Sequence, residues 1–161
     1  MTTDTSEFQY VVTGEGGKVT IKKAYLDAFL DMFNGEIISY RLSERPNVQA
    51  IHDAQLEAIE RTSDCLFRRT FHSDRGWAYH MKQYAILLEN NKIFQTMSRK
   101  GNCLDNSPKE NFFGLLKQEM YYGTIYTSLE EIKQANDKYI YYYNYKRIKS
   151  KFGTYRVRLA A

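Results

Sequence analysis

The chain has 161 residues, 43% of them hydrophobic, which suits one compact domain able to bury roughly 70% of its unfolded surface. Its 23 Lys and Arg against 19 Asp and Glu leave a net charge of +4 and a pI near 8.9, which permits nucleic-acid binding without requiring it. Cys65 and Cys103 lack any C-x-x-C or Cys/His ligand spacing, and no charged-then-apolar leader or bilayer-length apolar run occurs, so a disulfide framework, a zinc site and a membrane anchor are not expected.

In chain order, a strand is predicted from about Thr3, where Phe8, Tyr10 and Val12 alternate, and Gly14-Glu15-Gly16-Gly17 turns it. The next run, through Phe33, is ambiguous. Val19 and Ile21 alternate, whereas Leu26, Phe29, Leu30 and Phe33 fit a helical stripe. Asn34-Gly35 before EIISYRL, read as a two-residue hairpin loop, decides for strand. A helix follows from about Asn47 to Thr62 on Val48, Ile51, Leu56 and Ile59, with His52 as a surface residue. Leu66, Phe67 and Phe71 mark a short strand that ends in a loop at Asp74, Gly76 and Trp77. Met81 to Asn91 reads as a helix, and Lys92 to Ser98 as a strand.

Ser107-Pro108-Lys109-Glu110 is a capping box opening a helix whose apolar residues are Phe112, Phe113, Leu115, Leu116 and Met120. A last helix runs from about Ser128 to Tyr145, with Ile132, Tyr139, Ile140 and Tyr143 at core intervals and a basic cluster at its end. Three antiparallel strands followed by right-handed crossovers give an α/β fold, a mixed five-stranded sheet with helices on both faces.

Two carboxylates stand out. Asp74 sits at the mouth of a strand, where open α/β sheets place their chemistry, although an Asp before a Gly is on its own most often a turn residue. Glu110 follows with 35 residues between them, Arg75 to Lys109. The apolar residues of its helix centre opposite Glu110, so Gly114, Lys117 and Tyr121 are expected on its face, an arrangement suited to a polyanion. Asp4, Asp27 and Asp31 all fall in the opening strands, and spacing does not choose a third acid among them.

HSDRGW followed by MSRKGNCLDNSPKENFFGLLKQE resembles the core signature of bacterial insertion-sequence transposases of the DDE type, which carry an integrase catalytic core. The 35-residue interval, and a basic residue seven positions after the glutamate, match that group. The looser similarity runs from TTDTSEF to YYNYKRIKSK. The resemblance implies a ribonuclease-H-like fold and a metal-dependent polynucleotidyl transferase that cleaves DNA strands and transfers them during transposition.

On the same resemblance, TDTSEF matches the group's opening T-D-x-T-E-F and selects Asp4, so that Asp4, Asp74 and Glu110 become the catalytic and metal-binding set. Three acids without histidine or thiolate suit Mg²⁺, with Mn²⁺ as a substitute. Two ions can stabilise both the attacking and leaving oxygens of the displacement. Lys117, Arg99, Lys100 and Asn106 are the implied DNA contacts, the last three in or beside a glycine-containing loop.

The implied partners are DNA ends and target DNA, with a homo-oligomer as the active state in a bacterial cytoplasm and no membrane association. The chain is expected to be a single integrase-type core. It departs from the group in lacking a preceding helix-turn-helix region and in closing GTYRVRLAA rather than S-P-x-x-Y-R. These departures leave an inactive remnant as the alternative function, and a nuclease of the same fold acting on RNA–DNA hybrids as a further one. A tyrosine recombinase is disfavoured because no histidine follows His80. Asp4, close to the start, is expected at a frayed end unless tied down.

Overall fold

The computed structural model describes residues 1–98 and 107–148, with only the backbone of 107–110. Its five strands are β1 (Thr2–Thr13), β2 (Val19–Leu30), β3 (Ile37–Ser43), β4 (Thr70–Ser73) and β5 (Phe94–Met97). They form one mixed sheet in the order β3-β2-β1-β4-β5. β1, β2 and β3 are antiparallel neighbours, while β4 runs parallel to both β1 and β5. The helices are α1 (Val48–Arg61), α2 (Lys82–Asn90), α3 (Ser107–Leu116) and α4 (Leu129–Tyr145). A π turn, Lys117–Tyr121, continues α3.

The alternation of β1 and β2 creates two apolar faces. Phe8, Tyr10, Ala24, Leu26, Ala28 and Leu30 point to one, which α3 and α4 cover with Phe112, Phe113, Leu116, Ile132, Tyr139, Ile140 and Tyr143. Phe29 and Phe71 point to the other, covered by Ile51, Ala54 and Ile59 of α1 and Tyr84 and Leu88 of α2. Each large side chain so buried contributes roughly 1.5–3 kcal/mol relative to exposure. The four core residues predicted for the last helix are all buried.

Local chemistry sets the helix ends. Asn47 Oδ1 accepts from Gln49 N at 2.9 Å to open α1, and Ser128 Oγ accepts from Glu131 N at 3.2 Å to open α4. Asn144 of α4 grips the backbone of β3, accepting from Ile37 N at 3.0 Å and donating to Ile37 O at 2.9 Å. That clamp satisfies a buried stretch of sheet edge as a further strand would.

Three expectations need correction. The connection from β2 to β3 is Asp31 to Glu36 rather than a two-residue turn. Asn34 Oδ1 accepts from Glu36 N at 2.8 Å, and Gly35 takes φ +72°, the left-handed conformation glycine favours. β4 begins only at Thr70, and Leu66 and Phe67 are exposed. Arg69, which donates to Ile59 O, Thr62 Oγ1 and Asn91 O, holds that approach against the end of α1 instead of in the sheet. Finally, the start of β1 is tied down. The Met1 amine donates to Thr70 O at 2.7 Å, His72 N donates to Met1 O at 2.8 Å, and Asp4 lies inside a strand paired on both sides near its start.

Candidate active site

The β1–β4 ladder carries the site. Thr2 faces His72 in parallel register, and residues facing each other across a ladder share a side of the sheet. Two residues further along come Asp4, still within β1, and Asp74, the first residue after β4, so both lie just beyond the paired end of that ladder. β4 stops at Ser73, so Asp74 opens a loop while β1 runs on. Both residues are half-buried, and Asp4 points to the sheet face that α3 and α4 cover.

The other two candidate aspartates are elsewhere. Asp31 sits in the β2–β3 connection, its backbone bonded to Glu36 O at 2.8 Å. Asp27 pairs with Thr5 across β1 and β2 and belongs to the opposite face, where the Thr5 hydroxyl donates to its carboxylate. Burial pushes the Asp27 carboxyl up to about 6, against the Thr5 hydrogen bond and with a smaller contribution from the Asp4 charge.

A raised carboxyl pKa favours the folded state below the unfolded value, 3.8, and that contribution is lost as pH rises through about 6. Asp27→Asn is therefore expected to gain stability relative to wild type, on the order of 2–3 kcal/mol, between pH 4 and pH 7. Urea melts of both proteins across that range check this. A constant difference would refute it.

Asp74 is held in a tight turn. Its Oδ1 accepts from Gly76 N at 2.7 Å, and a Cβ built on Gly76 would lie 2.9 Å from that oxygen and 3.3 Å from the Tyr79 ring. Beneath it, His72 uses both ring nitrogens, 2.9 Å from Thr96 Oγ1 and 3.0 Å from Ser98 Oγ. Ser98 N donates to Ser73 O at 3.0 Å, and Arg75 Nε donates to Ser98 O at 3.2 Å. The end of β4, the Asp74 turn and the residue following β5 are thus one hydrogen-bonded unit.

α3 and its continuation run along β1 in the same sense. Val11 N donates to Tyr126 O at 2.8 Å, Gln9 N to Tyr121 Oη at 2.9 Å, and Lys117 Nζ lies 5.6 Å from the centre of the Phe8 ring. Going back from Lys117, Glu110 is about 10 Å away along the helix, and going back from Phe8, Asp4 is about 13 Å away along the strand. The first turn of α3, which carries Glu110, therefore runs toward the level of Asp4. The Glu110 side chain and the capping box lie outside what is described, as do Arg99, Lys100 and Asn106.

The expected polar face of α3 is corrected in part. Gly114 is exposed, and a Cβ there would meet nothing within 4 Å. Lys117 is half-buried over Phe8 instead of open to solvent, and Tyr121 packs edge-on to the same ring at 5.2 Å. The π turn beginning at Lys117 breaks the 3.6-residue period on which that face was drawn.

The donor chemistry fits a hard divalent cation. Asp4 and Asp74 supply oxygens only, His72 has both nitrogens engaged, and Cys65 is exposed on the loop leading into the start of β4. Among the described residues no three metal-binding side chains cluster. Arg75 and Trp77, which follow Asp74 in the motif, are both exposed.

The sheet order and the helices on both faces define a ribonuclease-H-like fold. The catalytic core domain of HTLV-2 integrase, solved in complex with magnesium in a dimeric form, shares the fold, with a TM-score of 0.63 at 14% identity over 97% of this chain and 90% of that one. Models of the integrase core domain match residues 1–103 and 110–156. The chain belongs to the integrase core domain family.

A transposase-like protein of Haemophilus influenzae is 43% identical over 150 residues, 93% of this chain and 64% of that protein. An insertion-sequence transposase of Escherichia coli is 43% identical over 130 residues, 81% of this chain and 46% of that protein. The chain thus spans between about half and two thirds of the length of these relatives. Among the described residues no helix is long and apolar enough to cross a membrane.

Proposed function

We propose that the chain acts as a polynucleotidyl transferase on DNA, cleaving a strand at an element end and joining it to target DNA. The parallel pairing of β1 with β4, just before Asp4 and Asp74, supports this reading, and the course of α3 along β1 supports Glu110 as the third acid. Asp4, Asp74 and Glu110 would hold divalent cations, Mg²⁺ or Mn²⁺ and two in number. Bound there, the ions supply Lewis acidity to the attacking and leaving oxygens.

The residues of the chain supply position. The Asp74 turn and the His72–Ser98 bonds fix one acid on the end of β4, and the paired start of β1 fixes the other. A rigid sheet so places the scissile phosphodiester that water or a DNA 3′-hydroxyl attacks in line. The new P–O bond forms as the old one breaks, and the departing 3′-oxygen takes up a proton. Lys117, Arg99, Lys100 and Asn106 are proposed DNA contacts, with DNA ends and target as partners, and a homo-oligomer in the bacterial cytoplasm as the working assembly.

The test is reverse strand transfer on a branched oligonucleotide with Mn²⁺, which needs no recognition of element ends. Wild type is expected to reseal the branch and Glu110→Gln is not. Resealing by both proteins would remove Glu110 from the set. Failure of a folded wild type to reseal would remove the function.

A further inference from the structure

Two side chains beside Asp74 present groups that the holding of the acids does not use. Arg75 is exposed, and its one hydrogen bond among the described residues uses Nε, 3.2 Å from Ser98 O. That bond fixes the plane of the guanidinium while leaving both terminal amino groups for an anion, a geometry pre-organised for phosphate oxygens. Trp77, the only tryptophan in the chain, is 59% exposed at the start of the short 3₁₀ turn Trp77–His80.

Large aromatic side chains are ordinarily buried at least in part, yet the apolar residues of this turn are Ala78 and Tyr79, 5% and 4% exposed. The Gly76 amide ties the backbone between them to Asp74 Oδ1 at 2.7 Å, so both side chains spring from a backbone held to the acid.

We infer that Arg75 and Trp77 form a nucleotide-binding shoulder on the Asp74 turn. Arg75 takes a backbone phosphate next to the scissile one, and Trp77 stacks on an unpaired base beside it. This rests on the proposed function and deepens it by naming the form of DNA taken at the site. A paired duplex hides its base faces, so the indole selects a frayed or single-stranded end. Stacking of this kind tolerates any base, while the phosphate contact adds a salt-dependent component.

The lone tryptophan is its own reporter. Short single-stranded DNA, or a duplex with a frayed end, is expected to quench its emission, and a blunt, fully paired duplex of equal length is not. Arg75→Ala is expected to weaken this binding roughly tenfold and lower the salt slope by about 0.7, with the limiting quench unchanged. Arg75→Lys is expected to recover the slope and only part of the affinity, since the ammonium keeps the charge but loses the anchored fork.

Trp77→Ala, followed by anisotropy of labelled DNA, is expected to bind single strands about tenfold or more weakly and blunt duplex unchanged. Trp77→Phe keeps a smaller stacking face and should fall between. If labelled DNA binds wild type without quenching Trp77, or binds Trp77→Ala equally well, the shoulder is refuted and the proposed function stands. If wild type binds no DNA in either form, the function itself falls.

Discussion

Asp74→Asn is expected to lower strand-transfer turnover on the order of a thousandfold, with unfolding by urea within about 1 kcal/mol of wild type. The amide has the shape of the carboxylate, and its Oδ1 can still accept from Gly76 N, so the turn that now closes at 2.7 Å is retained. What is lost is charge. An amide oxygen is a weak partner for a divalent cation beside Asp4, and several kcal/mol of transition-state stabilisation correspond to about three powers of ten in rate. The loss should fall on kcat at saturating DNA, because the phosphate contacts survive. Asp74→Ala is the less informative change, since it removes both the charge and the turn hydrogen bond. Reverse strand transfer by Asp74→Asn within tenfold of wild type would take Asp74 out of the chemistry.

The reason to expect so local an effect is also the reason the site was partly legible in sequence. Asp74 and its turn are a short-range feature, written in consecutive residues, and α2 and β5 fall within the interval to Glu110. Period-2 and period-3.6 patterns likewise announced β1, α1, α2 and α4, because each buries one face against the sheet. Asp4 was different. Its order depends on partners about seventy residues away, Thr70 O and His72 N, which no local pattern contains. The choice between Asp4 and Asp27 needed the pairing register as well. The two side chains lie one strand apart on opposite faces, and only one face carries α3.

The half-burial of Lys117 was illegible for a related reason. A helical wheel carries no tertiary neighbours, and the ammonium lies 5.6 Å from the centre of the Phe8 ring on β1. The strand before Asp74 was overextended because apolar content alone does not require burial. Leu66 and Phe67 are 95% and 83% exposed, held out by the bonds of Arg69.

Gly76→Ala is expected to lower turnover roughly a hundredfold without removing any polar group from the site. The glycine has an ordinary backbone conformation, φ −57° and ψ 143°, so alanine meets no torsional penalty there. The obstacle is contact. The new methyl would stand 2.9 Å from Asp74 Oδ1, closer than carbon and oxygen tolerate without a bond, and 3.3 Å from two atoms of the Tyr79 ring. Tyr79 is 4% exposed, packed against Tyr84, with its hydroxyl 3.4 Å from Thr3 Oγ1, so the ring has little room to yield. The carboxylate, half-buried at the edge of the sheet, is the side that moves. A displacement near 1 Å at a reacting centre costs about two powers of ten in rate, whereas the stability loss should stay near 1 kcal/mol because the core is untouched. Turnover measured alongside a urea melt separates these effects. Wild-type rates in Gly76→Ala would show that the Asp74 turn does not set the geometry of the reaction.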